Sequence, residues 1–217
     1  PGSVRKFGQE ERLTVRLRQL IRNYPRGLGI LKEFVQNADD AGATRLDVWI
    51  DRRTHPTERM PDPRMALLGG PALLIANDRE FSEADLVAIQ RIGESSKQAS
   101  GPKTGRFGLG FNTAYNVTDH PSFVSGDGVY CMDPHASAVT TEGRGASWPL
   151  RELWTTSPDW PALFTVAGLA QGASHHRGTI FRLPLRDAAR AKASEISSTP
   201  FTLEALEELV AQVIRSG

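Results

Sequence analysis

Ile30-Leu-Lys-Glu-Phe-Val-Gln-Asn-Ala-Asp-Asp-Ala41, followed by Gly42, decides how the rest of the chain is read. At about 100° per residue, Glu33, Asn37 and Asp40 fall on one narrow stripe of a helix, with Leu31, Phe34, Val35 and Ala38 on the other side. Carboxylates seldom turn toward a protein body without a partner. The stripe is therefore either the solvated acidic face of a surface helix or one wall of a site. Thr104-Gly-Arg-Phe-Gly-Leu-Gly-Phe-Asn-Thr-Ala-Tyr115 weighs toward a site. There Gly105, Gly108 and Gly110 form a G-x-x-G-x-G run leading into a helix expected from Leu109 to about Asn116. Such a run lets backbone N–H groups approach an anion at the positive end of a helix, or it is simply a tight turn. It is not a Walker A loop, because no Gly-Lys-Ser/Thr follows. Nor is it a Rossmann fingerprint, because a polar loop rather than a strand precedes it.

Composition narrows the classes. A chain of 217 residues with 39% hydrophobic and 24% charged content fits one soluble globular domain. A net charge of +1 supplies no global field for nucleic acid or anionic lipid, so neither is expected as a partner. The single cysteine, Cys131, excludes an internal disulfide framework and fits a reducing compartment. No signal peptide and no apolar run long enough for a bilayer are visible, so a cytoplasmic location is expected. Pro1-Gly-Ser3 reads as the remnant of a cleaved tag, leaving residues 4–217 as a single domain, and the stop soon after the last helix suggests a fragment of something longer.

Elements follow from pattern. Arg12–Asn23 reads as a helix with a Leu13, Leu17, Leu20, Ile21 stripe and a solvated arginine face. After the Gly42 cap, Ala43–Ile50 alternates as a strand, and residues 52–66 read as an exposed proline-rich loop. Pro71–Ala76 is a continuous apolar run, a buried strand that ends at Asn77-Asp78. Ser82 caps a helix running to about Ile92. Residues 93–104 are a polar, lid-like loop. Ser122–Ser125 and Gly128–Cys131 form a hairpin, residues 133–176 read as irregular with tryptophans pinning loops, and Thr179–Leu183 is a strand. Residues 186–200 are a polar connection before a final helix, capped by Thr202 and striped by Leu206, Leu209, Val210 and Val213. Asp133-Pro-His135 reads as a turn, Cys131 as core, and His175-His176 lacks further ligands at metal spacing.

Taken together, E-x-x-x-N-A-x-D-A on a helix, a strand ending in Asx, a polar lid, a glycine loop before a helix and a strand opening Gly178-Thr179 resemble the GHKL superfamily. That superfamily comprises gyrase B, the ninety-kilodalton heat-shock chaperone, histidine kinases and MutL. The details are most similar to its sacsin subgroup: Phe7-Gly-Gln9, Ile30–Ala43, Asn77-Asp78, Gly105–Asn112, Val117-Thr-Asp119, Met132-Asp-Pro-His135 and Gly178–Leu185. The resemblance implies an α+β, Bergerat-type two-layer α/β sandwich, with a mostly antiparallel sheet and helices on one face. It implies a chaperone-related domain that binds ATP or ADP with Mg²⁺ and hydrolyses ATP slowly, signalling to clients or co-chaperones through regions beyond this chain. Glu33 matches the general base and Asn37 the Mg²⁺ ligand. Asp40 and Ala41 would line the nucleoside, and Ser96, Lys97, Gly105, Arg106, Phe107, Gly108, Leu109, Gly110 and Phe111 the phosphates. Thr179 would support the adenine-reading acid. The family's D-x-G-x-G is absent at 77–81, and two readings stay open there: Asn77 by strand register, Asp78 by chemistry. The missing glycines also motivate an alternative, a degenerate scaffold that binds nucleotide weakly or not at all.

Overall fold

The computed structural model describes residues 11–22, 27–90, 110–139 and 144–216. In chain order it forms α1 (Leu13–Arg22), α2 (Leu28–Asp40), β1 (Leu46–Asp51), β2 (Ala72–Asn77), α3 (Glu83–Ile89), β3 (Ser122–Gly126) and β4 (Gly128–Met132). Then come β5 (Gly145–Pro149), α4 (Leu150–Thr156), α5 (Asp159–Ala162), β6 (His176–Pro184), α6 (Ala188–Ala193) and α7 (Leu203–Ser216). The described strands make one sheet in the order β1-β2-β6-β3-β4-β5, and every neighbouring pair is antiparallel.

Local chemistry sets the ends of the helices. α2 closes on Gly42 at φ 72, with Gly42 N–H donating to the Asp39 carbonyl and Ala43 N–H to the Ala38 carbonyl, both at 2.8 Å. These two bonds are a Schellman closure, which needs the left-handed residue that glycine supplies. It turns the chain straight into β1. Ser82 and Asp85 form a reciprocal capping box on α3. Thr202 accepts the Ala205 N–H at the start of α7.

The architecture is α+β. On one face of the sheet Ile30, Leu31 and Phe34 of α2 and Leu206 and Leu209 of α7 pack on Leu73, Ile75, Phe123, Phe181 and Leu183. On the other face Leu74, Ala76, Val124, Val129 and Ile180 are covered by Met65, Leu68, Leu150, Leu153, Trp160 and Phe164. Residues 72–76 of β2 are therefore buried on both sides, which is why they read as a continuous apolar run rather than an alternating one.

Several expectations are corrected. Val35 is 53% exposed, not buried, because the packed arc of α2 centres on Ile30, Phe34, Asn37 and Ala38 and leaves Val35 past its edge. The proline-rich loop is not fully exposed: Met60 is buried, and a 3-10 helix over Pro63–Gly69, capped by Asp62, buries Met65 and Leu68. Residues 133–176 contain β5, α4 and α5, and Trp160 is wholly buried core rather than a loop pin. The helix expected near 109–116 is a 3-10 helix, Gly110–Asn116. There Thr113 Oγ1 donates to the Gly110 carbonyl at 2.7 Å and Asn116 Nδ2 to the Thr113 carbonyl at 3.2 Å. Side chains thus take carbonyls that a longer α-helix would need.

Candidate functional site

Two groups of polar residues lie on the face of the sheet covered by α2 and α7. The first gathers around α2. Phe34 packs edge-on against Phe111 (centroids 6.2 Å apart) and Phe181 (5.1 Å), locking α2 to the 3-10 helix and to β6. One residue earlier, Glu33 lies over Gly110: a Cβ on that glycine would collide with the carboxylate, 3.1 Å from its Cδ. Hence the organising helix and the end of the glycine run, far apart in sequence, meet in space. Asn37, one turn after Glu33, is only 6% exposed.

The second group sits where β2, β6 and β3 end. Asn77 pairs with Thr179, and Ser125 pairs with Thr179 on the other side. Directly opposed residues in a ladder share a face, and Asn77 has the parity of Ile75, so this trio points toward α2. Gly178 (φ 147) makes the approach feasible: a Cβ there would stand 2.5 Å from the Asn77 carbonyl oxygen. Thr179 Oγ1 donates to the Arg79 carbonyl at 2.8 Å and lies 2.9 Å from Ser125 Oγ. Arg79 Nε donates to the Gly42 carbonyl at 2.7 Å, drawing the turn after α2 toward the end of β2. Asp40 and Ala41 are exposed on that turn.

The two readings of the Asn77-Asp78 pair now separate. Asp78 is occupied elsewhere: the Thr44 hydroxyl donates to it, as do the backbone N–H groups of Thr44 (2.9 Å) and Arg45 (3.3 Å). The Thr44 bonds hold its carboxyl down at about 2. Asn77 faces α2 and accepts the Arg79 N–H at 2.9 Å. Sequence reasoning missed Ser125 and Thr44; strand register signals the first, but nothing in the sequence links Thr44 to a residue 34 positions away.

Ser96, Lys97, Gly105, Arg106, Phe107, Gly108 and Leu109 lie outside the described residues. A cavity of about 550 Å³ beside α3, lined by Leu86, Ile89, Phe123, Tyr130 and Met132, is bordered by none of Glu33, Asn37, Asn77 or Thr179. The candidate site is defined by the close approaches above, not by that cavity.

The donor set fits the implied groups unevenly. Asn37 offers one neutral oxygen beside a carboxylate, which suits an ion that keeps waters and phosphate oxygens in its shell. Gly110, with no Cβ, lets backbone come against Glu33. The base end departs from the family's pattern, since an amide rather than a carboxylate faces α2.

Other polar residues carried by the resemblance are structural. Arg186 and Asp119 form a buried pair (2.7 Å) behind the 3-10 helix. Asp133 accepts the Ala138 and Val139 N–H groups at 2.8 and 2.9 Å and contacts His120 at 3.3 Å. Burial opposes its ionisation, yet these bonds hold the carboxyl below its ordinary range. Cys131 is 2% exposed and burial pushes its thiol up to about 12, as suits core rather than a nucleophile.

Comparison with known proteins assigns the chain to a family. The Sacsin domain pattern matches residues 10–217. Sacsin from Homo sapiens is 39% identical over 216 residues, 98% of this chain, and the chain spans 5% of that relative's length. A family pattern covering nearly the whole chain settles membership: the chain belongs to the sacsin domain family.

Proposed function

We propose that this domain binds a Mg²⁺–nucleoside triphosphate, ATP on the GHKL pattern, between α2 and the ends of β2, β6 and β3, and hydrolyses it slowly. The observation that carries the reading is the seating of Glu33 against Gly110, which brings a carboxylate to the end of the glycine run, whose glycines suit a phosphate chain. Asn37 would hold Mg²⁺, and the ion when bound would screen phosphate charge and orient the γ-phosphate. Glu33 would accept a proton from the attacking water, an effect of about 10²–10⁴-fold in rate. Asp40 and Ala41 would border the nucleoside, Thr179 would brace the base-reading residue, and Gly110 and Phe111, with residues 96–97 and 105–109, would approach the phosphates. A chaperone-related role, client or co-chaperone partners and a cytoplasmic setting belong to the same proposal. Among the described residues, no helix is long and apolar enough to cross a membrane.

Thermal unfolding with and without Mg-ATP is the direct test. At 100 times Kd a ligand adds about 2.7 kcal/mol, about 5–11 °C in Tm for a domain of this size. Glu33→Ala should keep that shift and lose turnover. Diversion of Asp78 to Thr44 favours a second reading, a scaffold that holds nucleotide weakly. Background turnover in both wild type and Glu33→Ala, with no Mg-ATP shift, would select it.

A further inference from the structure

We infer that the edge of β1 away from β2 pairs, antiparallel, with the same edge of a second copy of this chain, giving a weak two-fold dimer. The inference is independent of the nucleotide reading. It follows from how differently the two edges of the sheet are finished.

Among the described strands, β1 and β5 each have a neighbour on one side only. An unpaired edge offers a row of N–H and C=O groups to another strand, and proteins blunt such edges with proline, lysine or bulges. β5 begins at Gly145 and ends at Pro149, which has no N–H to give. β1, Leu-Asp-Val-Trp-Ile-Asp, has no proline, glycine or lysine. Its two aspartates are already matched within the chain, Asp47 by Arg45 at 2.8 Å and Asp51 by Arg53 and His55. Val48 and Trp49, which point to opposite faces, are 38% and 43% exposed, so both faces are wetted at this edge.

The strand is also complementary to itself. A two-fold axis normal to the sheet centres an antiparallel pairing on one residue, and opposed residues share a face. Only centres at Val48 and Trp49 pair five of the six residues, 46–50 and 47–51 respectively. Centring on Trp49 sets Asp47 against Asp51 of the second copy, and like charges opposed are unfavourable. Centring on Val48 sets Val48 against Val48 and Leu46 against Ile50, with Asp47 against Trp49 on the other face. Just beyond, Arg45 meets the opposite charge of Asp51. Val48 is in register with Ile75, and Leu46 and Ile50 already pack on the core beneath α2 and α7. The apolar pairs would therefore carry that core across the junction. Six residues a side fall short of the roughly 20–30 of a standard interface, so the association is weak and concentration-dependent.

Sedimentation velocity from about 10 µM to about 1 mM, the range of a weak interface, should show wild type passing from monomer to dimer. Val48→Glu and Val48→Lys each place like charges at the centre, so each should abolish the dimer, and an equimolar mixture of the two should restore it. Val48→Cys treated with oxidised glutathione should form an intermolecular disulfide, because opposed Cα atoms about 4.5–5.5 Å apart lie within disulfide reach. Ser198→Cys, exposed on the loop before α7, should crosslink far more slowly, and Cys131 is buried and does not compete. Circular dichroism checks folding; should a charged variant not fold, the two cysteine variants decide. Four results overturn the inference: a wild type monomeric throughout, a dimer that persists in both charged variants, a mixture that stays monomeric, or crosslinking no faster at position 48 than at 198. The first of these leaves the edge to a strand of another protein.

Discussion

The two ends of the short helix Gly110–Asn116 treat polar groups in opposite ways. At its C-terminal end the Arg186 guanidinium donates to the carbonyls of Tyr115 (2.6 Å), Asn116 (3.2 Å) and Thr118 (3.0 Å) and to the Asp119 carboxylate. Arg186 is wholly buried, and its charge is closed from within the chain. At its N-terminal end Gly110 meets the Glu33 carboxylate by close approach, with no hydrogen bond closing that carboxylate among the described residues, and Asn37 lies one turn on. Both clusters are buried or half-buried polar chemistry of the kind a sequence motif highlights. The difference is completion. A group whose hydrogen bonds are closed internally does structural work, whereas one left facing a cleft is available to a ligand.

The comparison breaks first at Arg186. Removing one partner of a buried pair strands the other, at about 3–5 kcal/mol. Arg186→Ala should therefore lower Tm by about 6–20 °C, taking 2–4 °C per kcal/mol for a domain of this size. Asp119→Ala should fall similarly, and the double variant should lose much less than the sum. Additive losses would mean that the two side chains act separately.

His135 gives a smaller, pH-dependent readout on the same closed side. Its Nε2 accepts the Glu195 N–H at 3.0 Å, and Glu195 in turn holds Arg12 and Thr14 of the α1 region. Burial keeps the imidazole's pKa below the usual 6.5. The unfolded chain then takes up a proton before the folded one does. Stability is complete above about 6.5 and is lost as the pH falls through that value toward the folded pKa. Tm measured from pH 7.5 to 5.5 should drop in wild type and drop less in His135→Gln. Part of the slope should survive, because burial lowers the pKa of His176 as well. An unchanged slope in His135→Gln would remove His135 from the closed network.

Which parts were legible follows from how local the signal was. The α2 helix apart from Val35, the Gly42 closure, the Ser82 cap and the run in β2 are encoded within a few residues, and each appears where the pattern put it. β5, α4 and α5 were not legible: strands and helices of four to seven residues leave too short a window for any period, and Pro149, Pro158 and Pro161 read as loop. Strand parity favoured Asn77, and the register agrees. The diversion of Asp78 depends on a contact with Thr44 that no local pattern carries. Likewise, Arg186 looked like part of a polar connection because long-range burial of an arginine leaves no periodic trace.

Gly110→Ala carries the smallest expected change in stability and tests the open end directly. The added Cβ would meet the far end of a flexible carboxylate, not backbone. Gly110 is not among the glycines at positive φ, and alanine also narrows the unfolded ensemble by about 0.4–1 kcal/mol. The net effect should stay within about 1 kcal/mol, or about 2–4 °C in Tm. Glu33 must nevertheless swing away. Turnover of Mg-ATP should therefore fall toward the level of Glu33→Ala while the unliganded Tm barely moves. A Tm loss on the scale of Arg186→Ala would make the Glu33–Gly110 contact part of the closed scaffold. An open site and a closed one would then no longer be told apart by the completeness of their hydrogen bonds.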